Sequence, residues 1–167
     1  MTETLARLRV PLGFVSGAVA LVLARPTPRS VTAGLLVAVT GEAVRVWAAG
    51  HIEKGREVTR SGPYRFVRHP LYLGSALMGA GFMWAAQSVW AAILVALYLS
   101  TTLTAAMRAE DAALAARFGP EYAAYREGRA APVARAFSWA RAMANREHRA
   151  MLGLAIGAVL LYLRAKA

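Results

Sequence analysis

The sequence predicts an all-α, polytopic integral membrane protein of about five transmembrane helices, two of them folded into a hairpin. Three observations carry this expectation. Hydrophobic residues fill 57% of the 167 positions, too many for a small soluble domain. They come in blocks, at 10–24, 31–50, 71–86, 89–107 and 151–163. The cations gather in alternate connectors between those blocks. A hydrocarbon crossing needs ~20 residues, with a lower limit of ~17. The second and fourth blocks meet this. The first, third and fifth are short and need help from flanking Pro, Arg and Trp or a thinned bilayer. The length allows one domain.

Taken in order, the first block follows Arg7 and Arg9 and ends with Val22 and Ala24, the form of a cleavable leader. A retained span is expected instead, because the other blocks need a helix to pack on. In Arg25-Pro26-Thr27-Pro28-Arg29-Ser30 the prolines stop a helix and Ser30 is the expected cap of the next. Glu42 and Arg45 stand at i,i+3 inside the second block, where ions are functional candidates by default. The expectation is an internal pair, with Arg45 ~7 Å from the Gly50 end and able to snorkel. Binding of a substrate headgroup is the alternative. His51, after Trp47, is expected as an interfacial anchor.

The connector 51–70 is polar and long enough to fold over the membrane surface. Pro70 suits the first turn of the third helix, where its missing N–H is not needed. Ser75 and Gly79, four apart, are expected to let that helix approach a neighbour closely. Only Gln87-Ser88 separates the third and fourth blocks, so they form an antiparallel hairpin whose outer ends meet. Beyond Met107 the helix continues with Glu110, Leu114 and Phe118 on one face. Gly119-Pro120 ends it and starts a short helix bearing Glu121, Tyr122 and Tyr125. From 130 to 149, Val133, Phe137, Trp139 and Met143 alternate with arginines, an interface-hugging pattern. His148, beside Arg146, Glu147 and Arg149, reads as solvated.

The net charge of +11 would suggest nucleic acid in a soluble protein. Here Lys54, Arg56, Arg60, Arg65 and Arg68 share one connector. Arg108, Arg117, Arg126, Arg129, Arg135, Arg141, Arg146 and Arg149 share another. With Arg7 and Arg9 they fall on one side if every block spans, opposite Arg25, Arg29, Arg164 and Lys166. That side is the cytoplasmic one by the positive-inside rule, and it attracts anionic lipid. No nucleic acid is expected. The absence of cysteine excludes disulfides, thiolate metal ligands and a thiol nucleophile.

The densest chemistry lies in Ser61-Gly62-Pro63-Tyr64-Arg65-Phe66-Val67-Arg68-His69-Pro70-Leu71-Tyr72-Leu73-Gly74. Glu110-Asp111 closes the hairpin on the same side, with a solvated helix end paired to Arg108 as the competing expectation. A zwitterionic, nucleotide-like ligand would use both ends. Its anionic group suits Arg68, His69 and helix N-terminal amides. An ammonium or sulfonium suits Glu110 and the faces of Tyr64 or Tyr72.

Gly62-x-Tyr64-x-x-x-Arg68-His69-Pro70-x-Tyr72-x-Gly74, followed by Glu110-Asp111-x-x-Leu114-x-x-x-Phe118-Gly119-x-Glu121-Tyr122-x-x-Tyr125, resembles the isoprenylcysteine carboxyl methyltransferase and phospholipid methyltransferase superfamily of integral membrane enzymes. The resemblance covers a core of about 51–127, leaving 128–167 as an amphipathic segment and last helix. It implies S-adenosylmethionine in a cytosol-facing pocket and a lipid or other lipophilic substrate reaching it from the bilayer. The cofactor contacts it implies fall on Val58, Tyr64, Arg68, His69, Pro70, Leu71 and Glu110. Tyr72, Gly74 and Asp111 complete the expected cofactor-binding set. The chain departs from the pattern at Asp111, where the family has glutamate, and at Arg56, where prenylcysteine enzymes have histidine. Ala106 stands where those enzymes carry a substrate-binding arginine. The resemblance therefore speaks for the reaction class more than the substrate.

Such a transfer is an in-line displacement, which needs alignment and desolvation above all. A carboxylate acceptor needs no base, whereas an ammonium acceptor could use Glu110, Asp111 or His69. No residue is assigned as catalytic and no metal is expected. Arg- and Ala-rich usage fits a prokaryotic inner membrane. Two rivals remain: an NADPH-dependent membrane reductase of the sterol-reductase kind, with a similar Arg-His-Pro loop, and a non-catalytic membrane subunit. Leu71, where those reductases carry asparagine, and the short chain speak against the first.

Overall fold

The computed structural model describes residues 2–167, with side chains described from residue 11 onward; the expectation for Arg7 and Arg9 lies outside those described side chains. Among the described residues the regular structure is entirely helical. It comprises α1 (Thr2–Leu23), α2 (Pro28–Ala49), α3 (Pro70–Ala86), α4 (Val89–Phe118), α5 (Pro120–Arg126), α6 (Trp139–Ala144) and α7 (His148–Arg164), with a 3₁₀ turn at Gly62–Arg65. Among the described residues, three helices are long and apolar enough to cross a membrane: Pro28–Ala49, Val89–Phe118 and His148–Lys166. The apolar part of α1, Pro11–Leu23, is shorter, and α3 has 17 residues.

The helix ends follow local chemistry. Thr27, not Ser30, is the N-cap of α2: its hydroxyl accepts from the Ser30 amide and Ser30 reciprocates on the Thr27 amide. Pro28 is tolerated because it occupies the first turn, so the helix begins three residues earlier than expected. Ser30 also donates to the Ala85 carbonyl at 3.0 Å, tying α2 to the end of α3. α3 starts at Pro70 as expected, and Gln87 in the left-handed region (φ 47°) with Ser88 as N-cap turns the chain into α4.

The closest helix contact is the seam between α2 and α3, and it is lined by glycine. A Cβ on Gly41 would lie 2.6 Å from the Gly74 carbonyl oxygen, and one on Gly81 would lie 2.6 Å from the Ala38 amide nitrogen. Backbones approach this closely only where side chains are missing. The expected Ser75–Gly79 face is thus split. Gly79 faces Leu99 of α4, while Ser75 takes a hydrogen bond from Arg45 at 2.5 Å.

Arg45 forms the expected internal pair with Glu42 and a closer one with Glu147. Its Nε sits 2.7 Å from Glu147 Oε1 and 3.6 Å from Glu42 Oε2, and its Nη1 donates to the Leu71 carbonyl. Glu147 is 3% exposed and stands at the start of α7; His148 is exposed, as expected.

The segment before α6 is an extended strap. Val133 N–H donates to the Arg60 carbonyl and Ser138 N–H to the Gly50 carbonyl. Arg141 donates to Gly50, and Asn145 to Ala49 and Ile52. These bonds satisfy carbonyls that the end of α2 leaves open. His51 lies buried beneath the strap, its Nδ1 3.2 Å from Ser61 Oγ and its ring against Phe137. Burial and the nearby Arg141 and Arg135 hold its imidazole below the ordinary value.

Candidate functional site

α4 is 30 residues long, about 45 Å at 1.5 Å per residue, whereas the hydrocarbon core is about 30 Å thick. Its last turns therefore stand clear of the span and carry Glu110 and Asp111 level with the start of α3. There His69 Nε2 lies 3.0 Å from Asp111 Oδ1, and His69 Nδ1 lies 3.9 Å from Glu110 Oε2. The two outer ends of the hairpin meet. Arg108 is exposed; Asp111 instead accepts a hydrogen bond from the Tyr122 hydroxyl.

Gly119 makes that bond possible. Its φ of 48° and ψ of −117° suit a residue without a side chain, and the turn folds α5 back over the mouth. Tyr122 then reaches Asp111 from a position only 2% exposed. Tyr125 donates to the Tyr64 carbonyl at 2.8 Å. Burial, then the Asp111 bond, push the Tyr122 phenol well above its ordinary range. Burial also drives Tyr64 upward, with Glu110 the next contributor. Tyr125 is raised to about 12 by burial, against the opposing pull of Arg68.

Inside this frame lies a cavity of about 290 Å³, near the lower end of the ~300–1,000 Å³ of small-molecule sites. Of the expected site residues, Val58, Tyr64, Arg68, His69 and Glu110 line it. Asp111 stands behind His69. Pro70 is buried at the start of α3, and the Leu71 carbonyl is engaged by Arg45 and Ser75. Gly74 packs against α2, and the Tyr72 ring lies 5.7 Å from that of His69. These four are not among the lining residues. Two buried polar atoms in this frame, Tyr64 Oη and His69 Nε2, lack an aligned hydrogen bond. The His69–Asp111 approach is thus a close contact without hydrogen-bond alignment.

The rim includes residues outside the expected set: Glu53, Lys54, Glu57 and Arg117, with Tyr122 and Tyr125. Tyr122 and Tyr125 stand at i,i+3 directly after the Gly119-Pro120 break, a spacing that signals one shared face. The strap holds the rim's acids: Arg135 pairs bidentately with Glu57 at 2.7 and 2.6 Å, and Arg141 Nε lies 3.5 Å from Glu53. Nothing local to Glu57 announces a partner so far along the chain.

Fold and cavity together define a helical membrane protein that gathers imidazole, carboxylate, phenol and guanidinium groups at the mouth of a hairpin. The chain belongs to the phospholipid methyltransferase family, whose model matches residues 30–121. It is 35% identical over 103 residues to the cobalt-zinc-cadmium resistance protein CzcN of Cupriavidus metallidurans, covering 59% of this chain and 46% of that one. It is 34% identical over 98 residues to the nickel-cobalt-cadmium resistance protein NccN of Alcaligenes xylosoxydans xylosoxydans, covering 56% and 45%. The aligned region spans just under half the length of these curated relatives. No solved structure matches the chain.

Proposed function

We propose that the protein is an integral membrane methyltransferase that uses S-adenosylmethionine to methylate a lipid or another membrane-soluble small molecule. The observation that carries this reading is the meeting of His69 with Glu110 on a shared cavity, with Asp111 behind the imidazole. Membership of the phospholipid methyltransferase family supports it.

The residues fit the cofactor's chemistry. Arg68 and His69 suit its carboxylate, Glu110 its cationic end, and Val58 and Leu114 its apolar parts. Tyr64, whose buried hydroxyl lacks a partner, has a free donor to offer. When bound, the cofactor supplies an electrophilic methyl group. The protein's share is to orient, to neutralise and to keep water out. α5 contributes by closing Tyr122 and Tyr125 over the mouth. An ionised oxygen acceptor needs no base; an amine acceptor needs one, and Glu110 and His69 are the cavity groups suited to it.

On this reading α1 and α3 also cross the bilayer, giving about five spans, and the cavity faces the cytoplasm of a prokaryotic inner membrane. The cation-rich connectors lie on the cavity side, as the positive-inside rule requires. The relatives' names speak of metal resistance. On this reading, a part in metal tolerance would run through an altered membrane component.

The test is calorimetric titration of the purified protein with S-adenosylhomocysteine and with NADPH, alongside mass spectrometry of lipid extracts from cells with and without it. Binding of the homocysteine compound and species heavier by one or more methyl groups are expected. Binding of the dinucleotide alone would replace this reading with the reductase, and binding of neither would leave a non-catalytic subunit.

A further inference from the structure

A second cavity lies on the opposite side of Arg45 from the α3 contacts. It is an apolar groove of about 370 Å³ lined by Val39, Ala43, Val46 and Trp47 of α2, Phe137 and Trp139 around the strap, and Leu154 of α7, with Glu42 among them. It shares no residue with the candidate cofactor cavity. Glu42 is 6% exposed, and neither of its oxygens has a hydrogen-bond partner. A carboxylate so placed inside a spanning helix is costly.

The neighbouring charges do not balance. Glu147 holds Arg45 at 2.7 Å, whereas Glu42 stands off at 3.6 Å without a hydrogen bond. Two carboxyl groups thus face one guanidinium, and Glu42 is the one left without a hydrogen bond. The groove's aromatic rings offer cation-attracting faces. Trp47 and Trp139 are 43% and 59% exposed, and Val39 is 54% exposed, so a hydrocarbon tail can lie along the outside of α2. Depth narrows the choice further. Glu42 lies seven residues before Ala49, about 10 Å below the helix end at 1.5 Å per residue. A phosphate drawn to that depth would lose its water and meet carboxylates of its own sign.

We propose that the groove binds the protonated amine of a phosphate-free lipophile, with Glu42 as its counter-ion. Both Glu42 oxygens are covered, so the side chain swings outward to meet the ligand. The pairing satisfies the carboxylate and leaves the Arg45–Glu147 bond intact. The site stands apart from the proposed methyl-transfer cavity, and neither reading depends on the other.

The test is native mass spectrometry of the full chain in a non-ionic detergent, without cofactor, titrated with octadecylamine, octadecanol and octadecyl phosphate. The amine should bind at least about tenfold more tightly than the alcohol, and the phosphate least. Glu42→Gln should bring the amine down to the alcohol's level, while Glu42→Asp keeps most of the preference. Equal binding of amine and alcohol to the native chain would overturn the proposal, as would survival of the preference in Glu42→Gln or binding of none of the three. Should Glu42→Gln fail to fold, Ala43→Phe carries the test. Ala43 is exposed, so the larger ring fits the fold yet fills the groove. Loss of amine binding is then expected, and undiminished binding would sink the idea.

Discussion

Asp111 Oδ1 stands 3.0 Å from His69 Nε2 and accepts the Tyr122 hydroxyl as well. One carboxylate thus joins three elements: the loop ahead of α3, the outer end of α4 and the α5 helix folded back over both.

The cavity charges come first. On the proposed reading, His69→Ala and Glu110→Ala each weaken S-adenosylhomocysteine binding by about tenfold or more, equivalent to about 1.4 kcal/mol. Arg108→Ala, on an exposed face of the same helix, leaves it within about twofold. Titration calorimetry on the three purified variants checks this. Unchanged binding in both His69→Ala and Glu110→Ala would remove the cavity as the cofactor site.

The tyrosines set an alkaline limit. A phenol whose folded pKa is raised favours the folded state fully below its unfolded value. That contribution disappears as pH climbs through the folded value. For Tyr125 the window runs from about 10 to about 12; Tyr64 and Tyr122 shift in the same direction. Thermal stability is therefore expected to fall steadily above pH 10, and Tyr125→Phe to make that fall shallower. Melting curves between pH 9 and 12 decide, and identical slopes in the two proteins would count against the burial argument.

The glycine seam is intolerant of volume. Gly41→Val and Gly74→Leu each place atoms against backbone on the facing helix, and destabilisation of about 1–3 kcal/mol is expected. Gly153→Ala is the control, since nothing lies within 4 Å of its would-be Cβ. Unfolding in a mild detergent reads the difference. Seam variants as stable as the control would mean that the helices separate freely.

The strap steadies the cavity rim. Arg135→Glu turns the bidentate Glu57 contact into repulsion, so amide exchange across residues 52–60 should quicken. Both groups are partly exposed, so the change in global stability is small, about 1 kcal/mol or less. Arg135→Glu combined with Glu57→Arg restores the attraction and should restore slow exchange. Exchange that stays slow in the single variant would show that backbone bonds from Val133 and Ser138 hold the rim unaided.

Much of the architecture was legible before any coordinates. Pro70 at a helix start, Gln87-Ser88 as a tight reversal and Gly119-Pro120 as a corner are local signals, set by backbone sterics within a few residues. From them follows the meeting of the His69 loop with Glu110 and Asp111, because two helices folded at a two-residue turn must return to the same level. The α2 cap shows the limit of that precision. Both Thr27 and Ser30 carry a capping hydroxyl, and the reciprocal bonds decide which leads.

The partners of Glu57 and Gly74, and the second partner of Arg45, were not legible, for a different reason. Each depends on segments far apart in the chain: the strap for Glu57, the start of α7 for Arg45, the facing glycine of α2 for Gly74. Apolar blocks reveal which segments leave water, but hydrocarbon is equally content against lipid or another helix, so they do not say which faces touch. The sequence by itself determined the helices, their turns and the chemistry at the hairpin mouth, because those rest on short-range geometry and charge. Tertiary structure alone decided that a C-terminal strap braces the cavity and that Glu147 claims Arg45, leaving Glu42 over. Those outcomes rest on how closely bulky and missing side chains let distant backbones approach.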